Sequence, residues 1–230
     1  GLAVTSADGG VRRKGQKTAA PVTGGDESQA EPVRGTVHGP ESSITRKEVA
    51  VAAWTAHNLP EGLEPGLEAT YVYDPPNFSW PSGAHVAIVE VDTETGAVEL
   101  LRYIAVDDVG TVINPMIVEG QIHGGLAQGV AQALYEEAIY DDDGNLLTGN
   151  MVTYLVPSAA EFPRWELHRT ETPSPTNPLG VKGVGETGAI ASPAAVMNAI
   201  VDALAEDGIT DIAMPATPER VWRALKEVQR

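Results

Sequence analysis

The sequence predicts an α+β fold, and three observations predict it. Residues 84–106, AHVAIVEVDTETGAVELLRYIAV, are two β-rich runs parted by Asp92-Thr93-Glu94-Thr95-Gly96, the pattern of a hairpin with a short glycine-containing turn. Asn114-Pro115, Ser192-Pro193 and Thr217-Pro218 each set a capping side chain before a proline, the arrangement that suits a helix start. Strands and helices are mixed without strict alternation, so a mixed sheet with hairpins and packed helices is expected. No internal repeat is evident.

Taken in order, residues 8–43 are rich in Gly, Pro, Ser and charge with little to bury, and are expected as a mobile linker or surface insertion. Two segments follow from this: a flexible stretch over 1–43 and a folded domain over 44–230. A helix is expected from Thr45, where Thr45 and Glu48 have capping-box spacing and Ile44 and Val49 could staple the first turn; Asn58 and Pro60 stop it. After the first hairpin, a second is expected to turn at Asp141-Asp142-Asp143-Gly144, with the acid run as a solvated turn. The helix from Ser192-Pro193 should bury Val196, Ala199, Ile200, Ala203 and Leu204 and stop near Gly208. The last helix should bury Val221, Trp222, Leu225 and Val228.

Composition narrows the function classes. The 230 residues are 42% hydrophobic and 20% charged, an ordinary globular balance. Lys and Arg total 15 against 32 Asp and Glu, a net charge of -17, which repels nucleic acid and anionic membranes. With no cysteine, the chain cannot hold a disulfide, ligate an iron–sulfur cluster or build a thiolate zinc site, so any redox centre is held otherwise or by a partner. No run approaches the ~18 apolar residues of a membrane span, and no leader precedes the pattern, so a cytoplasmic location is the default expectation. The chain opens at Gly1 rather than methionine, which suggests a processed product or a segment of something longer.

Two features carry chemistry. The segment from Asn114 scans as a helix yet contains Gly120, Gly124, Gly125 and Gly129. At about 1 kcal/mol each relative to alanine, these glycines cost roughly 3–4 kcal/mol, so something requires close approach. At about 100° per residue, Gly120, Gly124, Ala127 and Ala131 form one smooth face, and Gln121, Gly125, Gln128 and Gln132 line the next. Either another backbone packs on the smooth face, or a large polar ligand sits there with the Gln121 amide as donor and acceptor. His123 shares this turn and reads as a packing histidine, since the five histidines show no paired ligand spacing.

The second feature is GVKGVGETG at 180–188. Gly183-x-Gly185-x-x-Gly188 matches the letters of a dinucleotide loop, and such a nucleotide-binding module is the alternative function. However, Pro173, Pro175 and Pro178 exclude the strand that loop needs before it. A bland surface turn and an inactive scaffold are further alternatives. A glutamate held between Gly185 and Thr187, with space beside it, suits a general base.

Here NPMIVEGQIHGGLAQGVAQAL and TPSPTNPLGVKGVGETG together resemble the carboxy-terminal part of the molybdenum-binding large subunit of the xanthine oxidase family, nearest the aldehyde and carbon monoxide dehydrogenase branch. The collinear stretches around the first hairpin and MPATPERVWRAL extend the resemblance over about 45–230, leaving 8–43 outside it. The resemblance implies Glu186 as active-site base and Gln121, Gly124, Gly125, Gly183, Val184 and Gly185 as cofactor-binding residues. It also implies a molybdenum-molybdopterin cytosine dinucleotide shared with the rest of a large subunit. Iron–sulfur clusters and FAD are then expected on partner subunits. The implied reaction oxidises an aldehyde, an N-heterocycle, a related small molecule or carbon monoxide with water as oxygen source, passing electrons to the clusters. This length supplies one wall of such a site, and the chain alone is expected to be inactive.

Overall fold

The computed structural model describes residues 1–228, which divide into two compact units, Gly1–Pro75 and Pro76 onward. The first unit is ordered where the sequence suggested a linker. It carries helix α1 (Leu2–Thr23), a 3-10 turn (Glu27–Gln29) and an antiparallel meander of β1 (Glu31–Val33), β2 (Thr36–His38) and β3 (Ser43–Thr45), followed by α2 (Arg46–Thr55). Its core is small: Ala19, Ala30, Val37, Ile44 and Val49. Buried Thr18 and Thr23 complete the inner side of α1. Such a core leaves almost no large-residue periodicity in the sequence, which is why composition alone read as linker. The capping box of α2 forms as expected, with the Glu48 N–H donating to Thr45 Oγ1 (3.3 Å) and the Thr45 N–H to Glu48 Oε2 (2.9 Å). The helix ends before Asn58, at Ala56, which adopts φ 56°.

The second unit is built on β4 (Ser82–Val91) and β5 (Val98–Asp108), the expected antiparallel hairpin. The Asp92 carboxylate accepts from the Glu94 N–H at 2.8 Å, and Gly96 takes φ 75°. A third strand, β6 (Glu166–Thr170), runs parallel to β5, giving a mixed sheet of order β4-β5-β6. Its pairing crosses some sixty residues of chain and its side chains are largely polar, so local pattern does not announce it. The segment at 141–144 turns as expected, with Asp141 Oδ1 accepting from the Asp143 and Asn145 N–H groups, but only one bridge, Tyr140 to Leu146, flanks it.

Helix α3 (Pro115–Leu134) packs on α4 (Thr187–Ala203), and α4 packs on β4. Tyr103, Leu126, Val130, Val196, Ile200, Leu204, Val221 and Leu225 form the centre of one core. Two expectations are corrected. Helix α4 starts at Thr187, so Pro193 lies inside it, and Ser192 donates its hydroxyl to the Gly188 carbonyl (2.7 Å) instead of capping an end. In α5 (Pro218–Val228), Val221 and Leu225 are buried one turn apart, while Trp222, about 100° round from Val221, is 41% exposed and Val228, on the buried face but at the helix end, is 50% exposed. No helix among the described residues is long and apolar enough to cross a membrane.

Candidate functional site

Asn114 caps α3 through its side chain, accepting from the Ile117 N–H at 3.3 Å, with Pro115 at the first helical position. Further along, α3 meets the start of α4 backbone to backbone. A Cβ added to Gly125 would lie 2.9 Å from Gly188 Cα, and one on Gly188 would lie 2.6 Å from the Ile122 carbonyl oxygen. Gly129 makes a similar approach to Ser192. The packing row is thus Gly125 and Gly129, not the Gly120–Gly124 row that sequence periodicity singled out.

This crossing decides where the two motifs lie. Gln121 is about one turn before Gly125, and Glu186 is two residues before Gly188, so the close contact sets the glutamine beside the loop. A Cβ on Gly185 would meet Gln121 Oε1 at 3.8 Å. Gly125 is therefore buried in the helix contact, whereas a Cβ on Gly120, Gly124 or Gly183 would meet nothing within 4 Å. Val184 is half-buried and packs against the main core, holding the loop from beneath. Glu186 is exposed at the amino-terminal cap of α4 and makes no side-chain cap bond.

The unpaired groups around this point are informative. Among the described residues, the N–H groups of Gly183, Val184, Gly185 and Glu186 donate to no protein acceptor, and neither the Gln121 amide nor the Glu186 carboxylate has a protein hydrogen-bond partner. The Thr187 hydroxyl is buried without a partner. Successive free N–H groups ahead of a helix amino terminus favour oxygen-rich, anionic groups. His123 turns away into a local bond, its Nδ1 2.8 Å from the Glu119 carbonyl. The strand that a dinucleotide loop requires is absent: 171–186 hold turns and one bridge, Gly110 to Val181, and Gly188 is committed to α3.

Sequence reasoning missed the residues that fix the loop at its upstream end. Lys182 Nζ lies 3.0 Å from Asp108 Oδ1, with side chains 12% and 5% exposed, and the Lys182 N–H donates to the Val109 carbonyl at 2.9 Å. Asp108 also accepts from the Gly110 N–H (2.9 Å) and the Thr170 hydroxyl (3.1 Å). Burial pushes its carboxyl up, but hydrogen bonds from Thr172, the Gly110 N–H and Lys182 prevail and hold it well below the usual carboxylate range. Asn177 brackets Val181 like a strand partner, donating to its carbonyl (2.9 Å) and accepting from its N–H (3.1 Å). On the other side of β5, Asp107 Oδ1 meets His85 Nε2 at 3.2 Å, and His85 Nδ1 meets the Tyr103 hydroxyl at 2.9 Å. Consecutive aspartates thus serve opposite sides of one strand. An Asp-Asp pair closing a hydrophobic strand was the only signal in the sequence.

The model of a molybdopterin cofactor-binding domain family matches residues 1–163. The carbon monoxide dehydrogenase large chain of Hydrogenophaga pseudoflava is 44% identical over 99% of this chain and 28% of its own length. The nicotine 6-hydroxylase large subunit of Paenarthrobacter nicotinovorans is 44% identical over 82% of this chain and 23% of its own. Among solved structures, reconstituted CO dehydrogenase from Oligotropha carboxidovorans superposes with a TM-score of 0.83 at 39% identity, covering 97% of this chain and 28% of that one. Quinoline 2-oxidoreductase from Pseudomonas putida 86 superposes with a TM-score of 0.81 at 41% identity, covering 94% and 28%. The chain spans about a quarter of the length of the curated relatives it matches. The first unit lies within the family match, so the residues expected as an insertion belong to the matched region.

Proposed function

The chain belongs to the molybdopterin cofactor-binding family, and we propose that it forms one wall of the active site of a molybdenum-dependent oxidoreductase, with Glu186 as the base. The observation that carries this reading is the adjacency of two separate motifs, the Gln121 amide and the Gly183–Glu186 loop. Residues present fit the cofactor: the open surface at Gly120, Gly124 and Gly183 admits a flat, bulky group, and the unpaired N–H groups of 183–186 and the Gln121 amide suit its oxygen-rich periphery. The orphaned Thr187 hydroxyl adds a donor beside them. Gly125 contributes indirectly, by allowing the helix contact that sets Gln121 in place.

When bound, the molybdenum cofactor supplies two-electron redox chemistry at an electron-poor carbon. Glu186 takes up the proton from the oxygen nucleophile, which its exposed carboxylate, free of protein hydrogen bonds, is placed to do. The glycines on either side keep space open next to that carboxylate. We assign the cofactor as the cytosine dinucleotide form, the substrate as an aldehyde, N-heterocycle, related small molecule or carbon monoxide, and the electron route as iron–sulfur and FAD subunits alongside the remaining large-subunit segment. One wall does not close a site, so the chain by itself is expected to be inactive. Within the full assembly, Glu186→Gln is expected to retain molybdenum and lower kcat by at least about 10²-fold, the range of a positioned acid–base group. Metal analysis beside steady-state kinetics checks it, and undiminished turnover would rule the base out.

A further inference from the structure

The loop that presents Glu186 has a gap in its fastenings. Residues 183–186 donate no backbone hydrogen bond to any described residue, so their position is set from the two ends and by Val184, whose side chain packs on the core and whose carbonyl accepts from the Thr187 N–H at 3.3 Å. Downstream, the end is α4, where Gly188 is pressed on Gly125 and the Ala189 N–H donates to the Glu186 carbonyl at 3.0 Å. Upstream, the last residue with fixed backbone is Lys182. Its N–H is tied to Val109, and its ammonium is tied to Asp108 in a pair almost closed to solvent. Asp108 in turn is held by the Gly110 N–H and by Thr170 on β6, so the anchor is fastened to two strands of the sheet.

We propose that the Lys182–Asp108 pair is a positioning clamp that sets the register of the Gly183–Glu186 segment against the sheet, and through it the placement of the Glu186 carboxylate relative to Gln121. The clamp rests on the functional reading above only for its effect on turnover; its effect on loop order stands apart. Backbone bonds at Gly180, Val181 and Lys182 hold the stretch that leads into the loop. The ammonium adds a side-chain fastening at the last of these residues, where the segment without donated bonds begins. The buried setting matters because a charge pair shielded from water loses little to ionic screening. Lys182 and Asp108 are positioning residues: neither is required to touch substrate.

The test uses the full-length large subunit in its native assembly, with Lys182→Met, Lys182→Arg and the double variant Asp108→Asn/Lys182→Met. Removing lysine alone leaves Asp108 as an uncompensated buried charge, which can destabilise the fold, whereas the double variant removes both charges. In Lys182→Met and in the double variant, exchange of the hydrogen-bonded amides at 182 and 187, at the two ends of the segment, is expected to rise about tenfold or more while 196–204 in α4 stays unchanged. A misplacement of about an ångström should lower kcat by about ten- to a hundredfold with KM within about twofold and molybdenum content retained. Lys182→Arg, which keeps the charge, should restore most of both. Unchanged exchange at 182 and 187 in the double variant would overturn the clamp, as would slowed turnover with exchange unaltered. Should Glu186→Gln keep full activity, the base assignment fails while the exchange result still decides the clamp.

Discussion

Where α3 crosses α4, glycine is there because nothing larger fits. A Cβ on Gly125 or Gly188 would meet backbone of the other helix at 2.9 or 2.6 Å, whereas on the neighbouring face of α3 and in the loop, a Cβ on Gly120, Gly124 or Gly183 would meet nothing within 4 Å. The first set is explained by the fold: it lets the two helices touch and brings Gln121 beside the Glu186 loop. The second set gains nothing from packing in this chain, yet Gly120 and Gly124 together cost the helix roughly 2 kcal/mol relative to alanine. The same residue type on adjacent faces therefore answers two different constraints, one internal to the chain and one pointing outside it.

The largest effect expected on this contrast is at the crossing. Gly188→Ala places a methyl against the Ile122 carbonyl and, at 2.7 Å, the Leu126 N–H, both backbone groups that cannot swing aside. A loss of about 3 kcal/mol is expected, at the upper end for overpacking, with Gly125→Ala costing about 2 kcal/mol. Urea unfolding of both variants measures it; a Gly188→Ala protein as stable as wild type would mean the helices do not meet this closely.

Charge separates the two regions further. The crossing contains no titratable group, whereas the loop is fastened by Asp108, whose carboxyl sits well below the usual carboxylate range in the folded chain. The stability this carboxylate contributes is complete above its unfolded value of about 3.9 and is lost as pH falls through the lower folded value. Unfolding measured over a pH series should therefore show the gap between wild type and Asp108→Asn narrowing below about pH 3.9. Across the same series the gap to Gly188→Ala stays level. A level gap for Asp108→Asn would show that the ionised form is not what fastens the loop.

How far the sequence revealed this contrast depended on how local each determinant is. Glu186 and Gln121 were legible, since each sits in a short motif with its own helix or loop context. The first hairpin and the starts of α2, α3 and α5 were legible too, because caps and turns are written within a few residues. Which glycines pack was not, because Gly124 and Gly125 are indistinguishable until α4 chooses a face. The start of α4 was misplaced for a related reason: Ser192-Pro193 looks like a cap, but packing of Gly188 on α3 carries the helix six residues further back despite the proline. Asp108 and Lys182 are 74 positions apart and carry no mutual signal. The first unit hid because its core is small, with alanine and threonine on α1 and only Val37, Ile44 and Val49 as larger members.

The smallest expected effect is the one that most directly tests the open set. Gly124→Ala adds a methyl where nothing lies within 4 Å, in the interior of α3, so the variant should be more stable by about 1 kcal/mol. If the smooth face seats the cofactor, that gain comes with a loss: the methyl occupies the space the bound group needs, and molybdenum content of the purified full assembly should fall. A variant that gains stability and keeps full molybdenum would leave Gly124 without a role and move the cofactor surface toward the loop glycines. The two measurements pull in opposite directions only if the glycine is kept for something this chain does not itself contain.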